Sequence, residues 1–182
     1  MNSKASLAGK KIAALATDGF EYAELTEPKR ILEEAGATVE VIAPGDAKQI
    51  KGWKDGNWTD AVKVDRALEK VDAEDYQALL LPGGVMNPDS LRGKAAAISL
   101  VRAFGDANKP IAAICHGPWT LINAGQVKGR TMTSWPTLRK DLENAGAHWE
   151  DREVVCDGNL ITSRKPDDIQ AFSKAFIEML AA

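Results

Sequence analysis

The feature that most constrains this chain is a recurring unit: a short continuous apolar run, a turn signal, then a segment of helical period. Lys11–Thr17 (KIAALAT) leads into Asp18-Gly19-Phe20-Glu21 and a helical pattern from Tyr22 to Ala35, ending at Gly36. Thr38–Ala43 (TVEVIA), rich in β-branched residues and stopped by Pro44-Gly45, completes a βαβ unit. Ala78–Leu81 enters Pro82-Gly83-Gly84, with a helix expected from about Lys94 to Ala107. Pro110–Ile114 breaks at Cys115-His116-Gly117, and Pro118 suits the first turn of a helix running to Ala124. A strand near Thr131–Thr133, a helix over Thr137–Ala145, strands Glu153–Cys156 and Leu160–Ser163, and a helix from Pro166-Asp167-Asp168 complete the reading.

This alternation predicts an α/β fold with a doubly wound, mostly parallel sheet and helices on both faces. Between Ala47 and Asp65, Trp53 and Trp58 flank Asp55-Gly56, a dipeptide suited to a tight turn, and a small antiparallel hairpin is expected there. The 182 residues fit one domain, 1–182, with 1–9 expected as a flexible N-terminal segment.

Composition removes several functional classes. With 23 basic and 26 acidic residues interspersed, no cationic stripe exists to track nucleic acid, and no apolar run is long enough for a signal-peptide core or a membrane span. A cytoplasmic location is expected. The two cysteines, Cys115 and Cys156, show no paired spacing, and the two histidines, His116 and His148, are too few for a His-rich centre, so neither a disulfide nor a metal is expected. The first βα loop carries two acids where phosphate oxygens would need donors, and Pro82-Gly83-Gly84 has neither the spacing nor the Lys-Ser/Thr pair of a phosphate loop. No cofactor is expected.

In open α/β sheets, sites form beyond the carboxyl ends of strands. Three loops qualify: 18–21, 83–89 and 115–117. Cys115 sits between a strand and a helix N-terminus, where the dipole and free N–H groups favour a thiolate, and Gly117 and Pro118 suit the sharp turn of a nucleophile elbow. The competing reading is a small buried hydrophobe. Cys156, in a strand beside a turn, is expected to be a packing residue. His116 has two open roles: general base toward Cys115, or backbone donor to an oxyanion together with the Gly84 N–H. Glu21, at the start of the first helix, either complements the dipole or reaches the thiol as a protonated carboxyl. His148-Trp149-Glu150 suggests a glutamine amidotransferase, but it stands between a helix end and the next strand, away from a strand's carboxyl end.

Ala113-Ile114-Cys115-His116-Gly117-Pro118, with Leu81-Pro82-Gly83-Gly84 upstream, resembles the ThiJ/PfpI superfamily, nearest its PfpI-type intracellular proteases and general stress proteins. Phe20-Glu21, Asn144-Ala145-Gly146-Ala147, Val154-Val155-Cys156-Asp157-Gly158-Asn159 and Thr162-Ser163-Arg164 extend the likeness nearly end to end. The resemblance implies a flavodoxin-like fold related to class I glutamine amidotransferases, with Cys115 as nucleophile, Glu21 as its carboxyl partner, His116 as base, and the Gly84 and His116 amides as oxyanion hole. It further implies a homo-oligomer, dimer or hexamer, in which Asp89 orients the histidine of a neighbouring subunit. Trp119 stands where relatives commonly carry Gln, and with Gly83 it is expected at the substrate pocket. The function implied is a stress-response enzyme acting on small dicarbonyls or their protein adducts. Peptide hydrolysis is the alternative, and a redox sensor working through Cys115 oxidation is a third.

Overall fold

The computed structural model describes residues 6–182. In chain order the elements are β1 Lys11–Leu15, β2 Phe20–Glu21, α1 Tyr22–Glu34, β3 Thr38–Ala43, β4 Gln49–Lys54, β5 Asn57–Lys63 and β6 Arg66–Ala67. Then come β7 Ala78–Leu81, α2 Met86–Arg92, α3 Ala95–Asp106, β8 Ile111–Ile114, α4 Pro118–Asn123, β9 Thr131–Met132 and α5 Arg139–Asn144. The chain closes with β10 His148–Trp149, β11 Val154–Asp157, β12 Leu160–Ser163 and α6 Ile169–Ala181.

Seven strands form the central sheet in the order β11-β12-β8-β7-β1-β3-β6, parallel throughout except for the β11–β12 pair at one edge. The apolar runs are continuous because both faces are covered. On β1, Ile12 and Ala14 enter one core with Leu25 and Leu32 of α1 and Phe172 and Phe176 of α6. The alternate residues, Ala13 and Leu15, enter a second core with Phe104 of α3, Leu121 of α4 and Leu142 of α5. The period-two alternation of a strand thus feeds two layers of helix.

The expected hairpin is β4–β5, with Asp55 and Gly56 both at positive φ (49° and 79°), the combination a two-residue turn of this hand requires. It is not free-standing. β4 pairs in parallel with β2, placing Glu21 opposite Trp53. The hairpin therefore closes over the carboxyl end of the main sheet rather than extending away from it.

Two expectations are corrected. Of the segment 1–9, residues 1–5 lie outside the described residues, but Leu7 is fully buried and its N–H donates to the Ala35 carbonyl at 2.8 Å, so residues 6–9 are fastened to the end of α1. The stretch expected as a loop from Gly83 to Asp89 contains α2, a short helix whose buried Asn87 donates to the carbonyls of Pro82 and Gly83 and accepts from the Thr17 N–H. Asn87 thereby ties the loop after β1 to the loop after β7.

Candidate active site

β7 stands between β1 and β8, so the loops leaving these three strands meet at one edge of the sheet. Cys115 occupies the turn out of β8 with φ of 62°, a left-handed conformation that costs about 1–3 kcal/mol for a residue with a Cβ and persists only where surrounding contacts fix it. They do so here: its N–H donates to Ser163 O at 3.0 Å, its carbonyl accepts from Trp135 N–H at 2.9 Å, and Gly117 N–H returns to Ile114 O at 2.9 Å. A Cβ on Gly117 would stand 2.6 Å from the Leu81 carbonyl, so the turn admits only glycine at that position.

The elbow also turns the neighbouring imidazole back. His116 Nδ1 lies 3.2 Å from Cys115 Sγ. The ring packs edge-on to Trp119 at 5.0 Å and stacks against Trp135 at 6.1 Å. Burial holds its pKa below the usual imidazole value, and among the described residues no carboxyl acts on it. Burial therefore favours the neutral imidazole of His116, whose Nδ1 faces the Cys115 sulfur.

The carboxyl at the sulfur belongs to Glu24, not Glu21. Glu24 is fully buried, and its Oε2 accepts from Gly83 N–H at 2.9 Å. Among the described residues Oε1 is buried with no hydrogen-bond partner of its own, and the carboxyl and the Cys115 thiol shift one another. The reason lies in helical spacing: Glu24, Pro28 and Leu32 form one buried stripe on α1, whereas Glu21 is the residue before the helix and stays half exposed. Burial, and then the nearby Glu21, raise the Glu24 pKa to about 8, against the lowering effect of the Gly83 N–H. At neutral pH it is a carboxylic acid.

That protonation has a measurable consequence. Between the ordinary carboxyl value of 4.5 and about 8, folded Glu24 keeps a proton that the unfolded chain has released. Stability must fall as pH rises through this window and level off above it. The urea midpoint is expected to be lower at pH 8.5 than at pH 5, and Glu24→Gln should flatten that difference.

The expected low thiol pKa is also corrected. Burial pushes the Cys115 thiol up, and Glu24 adds to the effect; the N–H groups of Gly84 and His116, which point at the sulfur, act in the opposite direction. The dipole argument weakens because α4 has only 6 residues. Burial and the Glu24 carboxyl thus favour the thiol form of Cys115 over the thiolate.

Other expected residues fall into place around this centre. Gly83 lies beneath it: a Cβ there would be 2.6 Å from Cys115 Cβ and would collide with Glu24. Neither Gly83 nor Trp119 lines the pocket. The Trp119 indole lies sideways, Nε1 donating to Asp141 at 2.9 Å with the Arg92 guanidinium over its ring at 4.3 Å, and so it backs His116 instead. Asp89 is exposed on α2 and paired with Arg92 at 2.6 Å. Cys156 is exposed on the edge strand β11, so the packing role expected of it fails. His148, exposed on β10, is not at the pocket.

The cavity over Cys115 holds about 390 Å³ and is walled by Glu21, Glu24, Trp53, Val85, Met86, His116, Trp135 and the Gly19, Gly84 and Pro166 backbone turns. A groove of about 450 Å³ between β11 and α6 is larger but has no cysteine, serine, threonine or histidine among its lining residues. Trp53, Trp135, Val85 and Met86 escaped the sequence reading, because each is an ordinary apolar residue until the hairpin and α2 are folded over the sheet edge. Among the described residues, no cluster of three His, Cys, Asp or Glu side chains could hold a metal ion.

A sequence profile of the DJ-1/PfpI family matches residues 10–179. The chain belongs to the DJ-1/PfpI family. YraA of Bacillus subtilis (strain 168), provisionally named a cysteine protease, is 45% identical over 171 residues, 94% of this chain and 98% of the relative. Protein/nucleic acid deglycase 2 of Escherichia coli (strain K12) is 41% identical over 174 residues, 95% and 99% of the two chains. The crystal structure of Drosophila melanogaster DJ-1beta superposes with a TM-score of 0.86 at 30% identity, covering 94% of this chain and 90% of that one. Relatives in this family thus carry names of both deglycase and protease. No helix among the described residues is long and apolar enough to cross a membrane.

Proposed function

We propose that this DJ-1/PfpI protein is a cysteine-dependent enzyme acting on small dicarbonyls or their adducts, with Cys115 as nucleophile and Glu24, rather than Glu21, as its carboxyl partner. The observation carrying this reading is the buried trio of Cys115, His116 Nδ1 at 3.2 Å and the protonated Glu24 inside one cavity. As Sγ bonds to a carbonyl carbon, the thiol proton passes to His116 Nδ1 and the carbonyl oxygen takes the negative charge. The Gly84 and His116 N–H groups, already directed at the sulfur, are the donors proposed to meet that oxygen. Glu24 supplies a proton or a hydrogen bond without a buried charge, its Oε1 having no other partner among the described residues.

The cavity walled by Trp53, Trp135 and Met86 has the size of a small-molecule site, which favours a small carbonyl compound over an extended peptide. Burial and a raised thiol weigh against a redox sensor, which needs an exposed thiolate. A second copy belongs to the proposal: among the described residues no carboxyl acts on His116, and exposed Asp89 could supply one to a neighbour.

Proton NMR of the protein with methylglyoxal and with its adduct on an N-acetylated amino acid amide tests the reading. Formation of a 2-hydroxy acid is the expected result. Cleavage of peptides with no consumption of either carbonyl compound would replace it with the protease reading.

A further inference from the structure

The cavity is larger than a three-carbon dicarbonyl needs, and its volume of about 390 Å³ is that of a site for a whole small molecule. The space beyond the sulfur therefore has to be matched by whatever carries the carbonyl. Its walls combine indoles with carboxyls and, among the described residues, include no lysine or arginine.

The β2–β4 pairing makes this combination specific. Glu21 and Trp53 are direct partners across two parallel strands, so both side chains leave the same face of the small sheet, and both reach the cavity. Trp53 is held by Trp58, which meets it edge-on at 5.1 Å and 86°. A carboxyl beside a fixed indole is a receptor for a cation, which gains from the ring and from the carboxylate together. An anion would meet Glu21 with no lysine or arginine among the described lining residues, and with His116, whose pKa burial holds down, as the basic side chain there. Burial, and then Asp55, hold the Glu21 pKa above the usual carboxylate value, while Lys54 of the hairpin turn acts to lower it. A bound cation favours its ionised form.

We infer that this site selects carbonyl adducts carried by a cationic group, an amine or a guanidine, over thiol adducts and above all over adducts carried by a phosphate, and that Glu21 and Trp53 make the selection. The inference rests on the reading of Cys115 as a thiol that attacks carbonyl carbon. Guanidine and amine adducts keep a protonated nitrogen near neutral pH, thiol adducts are neutral, and nucleotide adducts bring phosphate oxygens.

The test compares kcat/KM for methylglyoxal adducts of Nα-acetylarginine amide, N-acetylcysteine amide and guanosine monophosphate. The arginine adduct should lead the cysteine adduct by about tenfold, with the nucleotide adduct last. Glu21→Gln and Trp53→Ala should each bring the arginine-to-cysteine ratio toward one, mainly through KM. A ratio near one in the unaltered protein, or a ratio that both variants leave unchanged, overturns the inference. If no adduct is consumed, the carbonyl reading fails on its own, and selection is then decided by alkylation of Cys115 with iodoacetamide. Protection by Nα-acetylarginine amide and not by Nα-acetylglutamate amide, lost in Glu21→Gln, supports the charge selection; equal protection by both, or by neither, overturns it.

Discussion

Cys115→Ser is expected to lower kcat/KM for carbonyl adducts by a factor on the order of 10⁴ or more while leaving the fold in place. Serine has the same Cβ and fits the same left-handed turn, so the hydrogen bonds to Ser163 and Trp135 survive. What changes is the proton. His116 is a weak base because burial holds it neutral, and it stands 3.2 Å from the sulfur; it can take a proton from a thiol far more readily than from a hydroxyl. Steady-state turnover, read beside a thermal melt, separates the two effects. Cys156→Ser serves as the control, since that thiol lies exposed on the edge strand away from the cavity. Turnover that survives in Cys115→Ser would remove the nucleophile from the proposal.

Glu24→Gln should lower kcat by roughly 10²–10⁴, the usual weight of a positioned acid or base. The amide oxygen can still accept from Gly83 N–H, which keeps the loop after β7 in position, but the side chain can no longer pass a proton. A second reading of the same variant fixes the sign of the coupling. Ionised Glu24 raises the Cys115 thiol, so an amide, which never ionises, should shift alkylation of Cys115 toward lower pH. Glu21→Gln should act differently, through KM, because Glu21 stands at the pocket mouth rather than at the sulfur. If Glu21→Gln lost kcat and Glu24→Gln did not, the reassignment of the carboxyl would be wrong.

That reassignment shows where sequence reading ran short. Glu21 drew notice because it follows the first strand end and belongs to Phe20-Glu21, yet the helix begins one residue later, and the face of α1 turned to the sheet is set by Glu24, Pro28 and Leu32. An acid on an otherwise apolar stripe was the available signal. The thiol was misjudged for a related reason: a dipole can be read from strand-then-helix order, whereas burial of the sulfur and the length of α4 cannot. The pocket walls were illegible too, because Trp53 reaches the site only through the pairing of β2 with β4.

The sequence by itself determined most of the strand and helix order, α2 excepted, with the elbow at Cys115 and the Asp55-Gly56 hairpin, because each depends on local conformational preference and on apolar periodicity within a few residues. Tertiary structure alone decided which carboxyl meets the sulfur, what state the thiol rests in, and which side chains form the cavity. Those outcomes turn on desolvation and on contacts between segments far apart in the chain, and neither quantity exists until the sheet has brought β1, β7 and β8 together.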